Sequence, residues 1–430
     1  MKFSRGILNF IKWRRYCTHQ GVQRKILQND GLVDHRTCIP EPDYDVDFLC
    51  NPANRDAIFE NIQKRNCKGD IDKVIELKFN SGSKQLLSQE LSRIPNSTHP
   101  DVLKLGKEPN ILKVSGEIPT FNFTPMEFEK FAIRMKLLKT DGLGPVAGQR
   151  SYVFLGDLAE LENALINYSI AKLRKHGFNL VTVPDILPTK VIERCGLIVD
   201  GNRTLVYELD PHYGDDYSLS GTAEMALAFK MMNTTLDVDK LPLKLAAVSR
   251  CYRAESSSLA QERGIYRVHY FTKVEMFVCS EQNNSEEVFD DLRAIQEDLF
   301  SDLGLHYKVL DMPPHELGAP AYRKIDIEGW MAARQLFGEL SSCSNCTDFQ
   351  SRRLNIKYTT KDGKSQYAHT LNGTACALPR MLIALCETNQ LRNGTIAIPQ
   401  KLQPFMKGKT VIHKQSIPNM KINKNKQKFN

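Results

Sequence analysis

Apolar residues recur with the period of a helix in the segment GDLAELENALINYSIAKLRKHGF, which begins at Gly156. The residues on the apolar face of this helix are Leu158, Leu161, Leu165 and Tyr168. We expect Asp157 to cap the helix and Gly177 to end it. The next segment, FNLVTVPDIL, is rich in apolar residues and is expected to form a strand that ends at Pro184.

A pattern with a period of two residues covers the chain from Cys251 to Phe277, on both sides of the turn SSSLAQERG. In the first half, Arg253 and Glu255 share one face. In the second half, one face carries Arg267, His269, Phe271, Lys273 and Glu275, and the other carries Val268, Tyr270, Thr272, Val274 and Met276. The pattern predicts an antiparallel hairpin with one buried and one charged face. The charged face fits either a solvated surface with ion pairs or the floor of a site that holds a polyanion.

Two other segments combine polar residues with an apolar helix. In LSGTAEMALAFKM, Thr222 and Glu224 stand two positions apart in front of an apolar run. In LNGTACALPRMLIALCETNQ, residues 381–386 are apolar on all sides, which predicts a buried helix. Arg380 opens that helix directly after Pro379. A guanidinium in this position requires an anionic partner, either an internal carboxylate or a bound ligand.

The chain divides into a polar helical stretch and a mixed region. Residues 40–117 contain two helix candidates, NPANRDAIFENIQKRN and KQLLSQELSRI. From residue 118 to about 405, helices and strands alternate irregularly, which predicts an α+β fold. The chain has 41% hydrophobic and 25% charged residues, as soluble globular proteins do, and it lacks an apolar run long enough to cross a membrane.

Positive charge is concentrated at the two ends of the chain. Residues 1–29 and residues 406–430 each carry seven Lys or Arg residues and no acid, whereas the net charge of all 430 residues is only +8. The chain between these ends is therefore mildly acidic. The first end has the composition of a mitochondrial transit peptide, and the alternative is a basic arm that binds nucleic acid. The second end is expected to be flexible.

Eleven cysteines are scattered along the chain, and this odd number favours a reducing compartment over a disulfide framework. Cys343 and Cys346 have the spacing of half a zinc site. No second pair accompanies them, and a zinc site needs four ligands. We therefore expect no zinc.

These segments together resemble the seryl-tRNA synthetases of the mitochondrial type, over about residues 95–405. KHGFNLVTVPDIL resembles motif 1 of the class II synthetases, which forms the dimer interface in that family. CYRAE…RGIYRVHYFTKVEMF resembles motif 2, and LNGTACALPRMLIALCETNQ resembles motif 3. The resemblance implies an α+β fold: a class II synthetase antiparallel sheet flanked by helices, with a short N-terminal helical hairpin arm.

The resemblance also implies residues for ATP. The matching positions are Arg253, Ala254, Glu255, Arg267, Val268, Phe271, Glu339, Leu340, Ser341, Ser342 and Arg380. It gives the catalytic roles to Arg253, on the α-phosphate, and to Arg380, which with Arg267 would hold the β- and γ-phosphates. Glu255 would accept from the adenine amino group, and Phe271 would stack on the ring. Hard oxygen ligands from Glu339 and Ser342 would bind Mg²⁺ together with the ATP.

The serine pocket implied by the resemblance is made of Thr222, Ala223, Glu224, Glu275 and Thr374. A buried carboxylate that bonds the serine hydroxyl is left unpaired if alanine enters. Discrimination on this basis reaches about 10⁴-fold or more. Threonine would be excluded because its methyl group lacks room.

The domains follow from the same resemblance. We expect a mitochondrial presequence and leader at 1–39, a shortened tRNA-binding arm at 40–117, a catalytic domain at 118–405 and a flexible Lys-rich tail at 406–430. The arm is shorter than is usual in the family, and our hypothesis is that the tail replaces part of its phosphate contact. The segment WMAARQLFGE also departs from the family, which usually has Pro-Gly after Trp-Met.

The predicted function is that of a homodimeric serine–tRNA ligase of the mitochondrial matrix, with tRNA(Ser), serine, ATP and Mg²⁺ as partners and no membrane. One alternative is a synthetase-like paralogue without aminoacylation activity, acting as a tRNA- or protein-binding subunit. Another is a class II synthetase for a different small amino acid, such as threonine or proline. The combination of GTAE and SNCTDFQ favours serine.

Overall fold

The computed structural model describes residues 38–80, 83–197, 204–214, 216–255 and 263–415. Most of the predicted presequence, most of the SSSLAQERG turn and the last fifteen residues of the tail lie outside the described residues. The described residues from Glu41 onward form a single unit.

The α-helices of the described residues include long helices of the mixed region and short ones near the start. In chain order they are α1 Val46–Leu49, α2 Arg55–Lys64, α3 Ile71–Phe79, α4 Lys84–Ser92, α5 Pro100–Leu103, α6 Phe128–Arg134, α7 Gly144–Ala147, α8 Asp157–Lys175, α9 Thr189–Arg194, α10 Ala223–Met231, α11 Ser285–Asp302, α12 Phe349–Leu354 and α13 Arg380–Thr388.

The β-strands range from two to eleven residues. They are β1 Asn110–Ser115, β2 Leu138–Lys139, β3 Val153–Phe154, β4 Asn179–Leu180, β5 Ile186–Pro188, β6 Tyr207–Glu208, β7 Tyr217–Leu219, β8 Thr235–Asp237, β9 Leu243–Tyr252, β10 Tyr270–Ser280, β11 Tyr307–Asp311, β12 Arg323–Met331, β13 Leu336–Asn345, β14 Lys357–Thr359, β15 Ser365–Tyr367, β16 His369–Ala377, β17 Ile396–Ala397 and β18 Val411–Ile412.

An eight-stranded sheet forms the centre of the protein, in the order β1-β11-β12-β13-β16-β10-β9-β4. All neighbouring strands are antiparallel except β4, which runs parallel to β9 at one edge. The main hydrophobic core lies between this sheet and helices that include α8, α11 and α13. This architecture confirms the predicted α+β fold with an antiparallel sheet flanked by helices.

The predicted amphipathic helix is confirmed as α8, and its four predicted apolar side chains are all buried. Its cap differs from the prediction, because Gly156 occupies the cap position and Asp157 is the first helical residue. A carboxylate in the first turn still interacts favourably with the positive end of the helix dipole. Gly177, just past the end, adopts a φ of +81°, which favours glycine.

The strand predicted in FNLVTVPDIL, ending at Pro184, is confirmed only in part, because it is shorter than predicted. Only Asn179–Leu180 pairs with the large sheet, and Ile186–Pro188 joins a separate three-stranded sheet. Pro184 lies between the two pieces, and proline cannot donate to a strand ladder.

The predicted hairpin exists as β9 and β10, paired in register with Tyr252 opposite Tyr270. The strands stop before the turn, so Arg253, Glu255 and Arg267 lie beyond the ladder. The prediction of a single buried face is wrong, because Lys273 and Glu275 on the charged face are as buried as Val274 on the other. The charged face is therefore not a solvated surface within β10.

The N-terminal helical region is confirmed, but the structure divides it into three short helices where the sequence predicts a pair. The helix α3 was not predicted. Helices α2, α3 and α4 have ten, nine and nine residues, so each is about 15 Å long. They pack around a small hydrophobic cluster that includes Ile62, Val74 and Leu91.

The structure differs from the predicted bounds of both the arm and the flexible tail. Residues 110–115, assigned to the arm, form β1 and pair with β11 in the large sheet. The first part of the predicted flexible tail is ordered, because β18 pairs with β17 and Ile412 is buried. Lys409 Nζ also contacts Asp157 Oδ1 at 2.6 Å and Glu160 Oε2 at 2.8 Å, at the start of α8.

Among the described residues, helices long and apolar enough to span a bilayer are not found.

The side chain of Arg65 connects the N-terminal helices to the mixed region. It is 3% exposed and donates through Nη1 to Asn96 O and through Nη2 to Gly318 O, at 2.9 and 2.5 Å. Burial lowers the pKa of Arg65 to about 10. The free-energy cost of burying this guanidinium is thus offset by hydrogen bonds to carbonyl groups of the N-terminal helical region and of the mixed region.

We predict that Arg65→Met lowers the free energy of unfolding by about 3 kcal/mol, because buried carbonyl groups lose a charged donor. Lys64, the exposed neighbour of Arg65, provides a matched control. Lys64→Met should change the free energy of unfolding by less than about 1 kcal/mol. Denaturant unfolding of both variants measures the difference. Equal stability of the two variants would show that Arg65 does not connect the two parts.

Candidate functional site

A cleft opens where β9, β10, β13, β16 and the start of α13 meet, with about 560 Å³ of empty space including its mouth. We call it the first cleft. Its lining residues are Arg253, Glu255, Tyr266, Arg267, Val268, Phe271, Lys273, Glu339, Leu340, Ser341, Ser342, Thr374, Ala377, Leu378, Pro379 and Arg380. Four cations and two carboxylates thus line this cleft.

Arg380 is fixed at the head of the buried helix α13 by contacts on several sides. Its Nε donates to Tyr266 O at 3.1 Å, and its Nη1 contacts Glu339 O at 3.1 Å and Glu339 Oε2 at 3.2 Å. Its Cζ lies 4.4 Å from the centre of the Tyr266 ring. The sequence predicts either an internal carboxylate or a bound ligand as the anionic partner of this guanidinium. In the structure, the internal carboxylate of Glu339 is a partner.

The remaining charged residues of motif 2 also contact one another. Arg267 Nη1 donates to Glu255 Oε2 at 3.0 Å, and both side chains are largely buried. The Cζ of Arg253 lies 5.2 Å from the centre of the Phe271 ring, and its Nε is 3.4 Å from Gly221 O. The arginines are therefore oriented before any anion enters the cleft.

Glu339 and Ser342 suit a hard cation. Burial alone would raise the pKa of Glu339, but Arg380, Lys324 and Arg253 together lower it, so the carboxylate is ionised. Mg²⁺ in proteins commonly takes one or two carboxylates and completes its shell with phosphate oxygens and water. One ionised carboxylate beside a serine hydroxyl at the wall of the first cleft fits that requirement.

A second, more apolar cleft adjoins the first. Its lining residues are Cys195, Gly196, Leu197, Leu205, Val206, Gly221, Thr222, Glu224, Met225, Tyr252, Arg253, Gly318, Pro320, Ala321, Lys324, Ser344, Cys346 and Asn372. Arg253 lines both clefts. It therefore stands at the point where a molecule in one cleft would meet a molecule in the other.

Glu224 is held by two amide groups at the wall of the second cleft. Gln350 Nε2 donates to its Oε1 at 2.6 Å, and Asn372 Nδ2 donates to its Oε2 at 2.7 Å. Thr222 caps helix α10 by accepting from Glu224 N at 3.3 Å, as the spacing of the two residues suggests. Burial, and to a smaller extent the Glu275 carboxylate, raises the pKa of Glu224 to about 7.

Glu275 is buried behind the wall of the first cleft. The register of β10 against β16 shifts between Val274 and Glu275, and the shift places Glu275 opposite Thr374. Thr374 Oγ1 donates to Glu275 Oε2 at 3.3 Å, and Lys273 Nζ lies 2.6 Å from the same oxygen. Thr374 and Lys273 line the first cleft, and they connect this buried carboxylate to it.

The structure brings most of the predicted ATP residues together. Ten of the eleven line the first cleft, whereas Ala254 does not and instead donates from its backbone to Leu205 O. Ser341 lines the cleft, but its hydroxyl is bonded to Thr374 O. Of the predicted serine residues, Thr222 and Glu224 line the second cleft and Thr374 the first.

Two of the predicted serine residues line neither cleft. Ala223 is buried as the first residue of α10, and Glu275 lies beneath the wall. The division of this set between two clefts and a buried carboxylate was not apparent from the sequence, because strand register decides it.

Several site residues were missed by sequence reasoning. Lys273 falls on the predicted charged face of the hairpin, and that pattern could have identified it. Tyr266, Gln350 and Asn372 carry no comparable signal, because their roles depend on contacts between distant segments.

The two cysteines of the SSCSNC segment are buried, and burial raises the pKa of both thiols. Cys346 lines the second cleft. Across the described ranges, no group of three or more His, Cys, Asp or Glu side chains is placed to hold a metal ion.

The WMAAR segment contains the end of β12 and most of the tight turn that leads into β13. Its Ala333 N donates to Glu387 Oε2, and Phe128 N donates to Glu387 Oε1, both at 2.9 Å. Glu387 is fully buried near the end of α13. The turn is therefore tied to the helix that carries Arg380.

Comparison with known proteins places this geometry in a family. The family model "tRNA synthetase class II core domain (G, H, P, S and T)" matches residues 207–389. A serine–tRNA ligase of Treponema denticola is 38% identical over 329 residues, which are 75% of this chain and 77% of that protein. The chain belongs to the seryl-tRNA synthetase family.

A mitochondrial member of the seryl-tRNA synthetase family, from Mus musculus, is 44% identical over 324 residues, or 74% of this chain. The chain spans about 62% of the length of that relative. The crystal structure of seryl-tRNA synthetase from Pyrococcus horikoshii complexed with ATP matches with a TM-score of 0.73 at 30% identity. The match covers 86% of this chain and 90% of that one.

We predict that Tyr266→Leu weakens pyrophosphate binding about fivefold, because Arg380 loses the aromatic surface that orients its guanidinium. Tyr266→Phe keeps the ring and should bind pyrophosphate as the parent does. Calorimetric titration with pyrophosphate measures both variants. Equal weakening by leucine and phenylalanine would contradict a role for the ring.

Proposed function

We propose that this chain activates serine with ATP to form seryl-adenylate and transfers the seryl group to tRNA(Ser), as a mitochondrial serine–tRNA ligase. The observation that carries the proposal is the position of Arg253, which lines both clefts. A nucleotide in the first cleft and serine at the junction would meet beside this guanidinium. The names of the curated relatives support the same reaction.

In the proposed first step, the serine carboxylate attacks the α-phosphate of ATP and pyrophosphate leaves. In the second, the terminal ribose hydroxyl of the tRNA takes the seryl group. Both steps depend on orientation of the reactants and on neutralisation of phosphate charge, and neither requires a nucleophile from the protein. Arg253 would neutralise charge that develops on the α-phosphate, because a planar guanidinium can donate two bonds to it.

The walls of the first cleft support ATP as the nucleotide. The half-buried Phe271 offers a ring face for adenine, and Glu255 offers a carboxylate for its amino group. Arg267 and Arg380 would bind the β- and γ-phosphates, exchanging their bonds to Glu255 and Glu339 for bonds to the anion. Mg²⁺ held by Glu339 and Ser342 would neutralise further phosphate charge.

The serine ammonium and hydroxyl are proposed to meet different carboxylates. Glu224 would bind the ammonium with Thr222, and Glu275 with Thr374 would bind the hydroxyl. Glu275 is 1% exposed and already contacts Lys273 and Thr374, and alanine would deny it the further hydrogen bond that the serine hydroxyl would donate. This cost supports discrimination against alanine.

The cellular setting is also a proposal. The mitochondrial name of the mouse relative and the basic composition of residues 1–29 support a location in the mitochondrial matrix. Exposed apolar side chains in the motif 1 segment, Leu180 and Ile186, support a homodimer formed through that segment. The last fifteen residues carry four lysines and no acid, which supports a phosphate contact with tRNA.

Serine-dependent exchange between ATP and pyrophosphate tests the first step without tRNA. We expect exchange with serine, little with alanine or threonine, and loss of at least about 10²-fold in Arg253→Ala because the charge on the α-phosphate is no longer neutralised. The exposed Arg392→Ala is a matched control that should retain full exchange. A folded wild-type chain without serine-dependent exchange would favour the paralogue that binds tRNA or protein without charging.

The pH dependence of serine binding follows from Glu224. Its pKa in the folded protein is raised to about 7, so the carboxylate is ionised above pH 7 and protonated below it. We expect the KM for serine to rise as the pH falls from 8 to 6, by up to about tenfold per pH unit below the pKa. Glu224→Gln should raise the KM at pH 8 and flatten the profile, whereas the exposed Glu60→Gln should not. A flat wild-type profile would contradict ammonium binding by Glu224.

A further inference from the structure

The two strands that carry nucleotide-side and serine-side residues separate at the first cleft. Strands β13 and β16 pair from Asn345 opposite Leu371 as far as Cys343 opposite Gly373. The next residues along them are Ser342 on β13 and Thr374 on β16, and these line the cleft. The opening therefore begins where the ladder between these two strands ends.

The side chain of Gln296 fills the gap below that opening. Gln296 comes from helix α11, is fully buried and reaches both strands through one amide nitrogen. Its Nε2 lies 2.8 Å from Ser341 Oγ, 2.9 Å from Ser342 O and 3.0 Å from Thr374 O. Two of these atoms are carbonyl oxygens, which only accept, so the nitrogen and not the oxygen of the amide faces them.

Ser341 completes the connection between the strands. Its hydroxyl donates to Thr374 O at 2.5 Å while it lies within reach of the Gln296 amide. Glycine at position 373 permits this close approach, because a Cβ there would lie 3.1 Å from Met276 Cε and 3.3 Å from Gln296 Nε2. The amide thus takes the place of backbone bonds that the separated strands no longer make.

We propose that Gln296 is a positioning residue that fixes the spacing between Ser342, on the nucleotide side, and Thr374, on the serine side. The inference rests on the proposed function, because it assigns those two sides to ATP and serine. Gln296 does not reach either cleft, and it acts through the backbone of the two strands. It therefore couples the geometry of the two substrate sites.

Replacement of the amide tests this role. In Gln296→Met, which has nearly the same shape and no donor, we expect the KM for serine in pyrophosphate exchange to rise about tenfold. Discrimination against alanine should fall as well, because Thr374 and its bond to Glu275 lose their fixed position. Gln296→Glu should have a larger effect, because a carboxylate would face two carbonyl oxygens.

A destabilising substitution in the same helix shows whether a rise in the KM for serine comes from lost positioning or from a general loss of stability. Leu299→Ala removes a buried apolar side chain one turn away and should lower the melting temperature at least as much as Gln296→Met. It should leave the KM for serine and the discrimination unchanged. If Gln296→Met does not fold, Ser341→Ala, which removes the hydroxyl bond to Thr374 O, should produce the same rise in KM.

The outcomes distinguish this inference from the proposed function. Wild-type exchange with an unchanged KM and discrimination in Gln296→Met, or in Ser341→Ala if the first variant does not fold, would overturn the positioning role alone. Similar changes in Leu299→Ala would also overturn it, since they would reflect stability. Absence of serine-dependent exchange in the wild-type chain would overturn the proposed function and this inference together.

Discussion

Three ion pairs at the first cleft join a cation to a carboxylate, and the rest of the site depends on this pairing of opposite charges. The three pairs, joined at N–O distances of 2.6 to 3.2 Å, are Lys273–Glu275, Arg267–Glu255 and Arg380–Glu339. Attraction between opposite charges is strong where little water enters. The cations are therefore retained and oriented at the wall of the cleft.

The sheet supplies the positions at which these charges can meet. The register shift in β10 aligns Glu275 with Thr374, and the end of the β13–β16 ladder leaves room for a ligand. Helix α11 closes that room from below through Gln296, while α13 brings Arg380 to its mouth. The separation of β13 from β16 and the support of that gap by helix α11 thus together form the cleft.

Sequence patterns predicted elements best where local periodicity and burial agree. The amphipathic pattern of α8 and the apolar run of α13 both became helices with the expected buried residues. The strand after α8 is shorter than predicted, and the described first part of the tail, residues 406–415, is ordered where flexibility was expected. That part of the tail is held by ion pairs of Lys409 with distant carboxylates, which no local pattern reveals.

The sequence by itself determined the residue types of the candidate site and their grouping into three segments, because those segments resemble the motifs of one family. Only the tertiary structure decided which charges form pairs, that Arg253 borders both clefts, and that the charged face of β10 is buried. The reason is physical. Periodicity assigns a side chain to a face of its own element, whereas burial and partners depend on strand register and on elements far away in the chain.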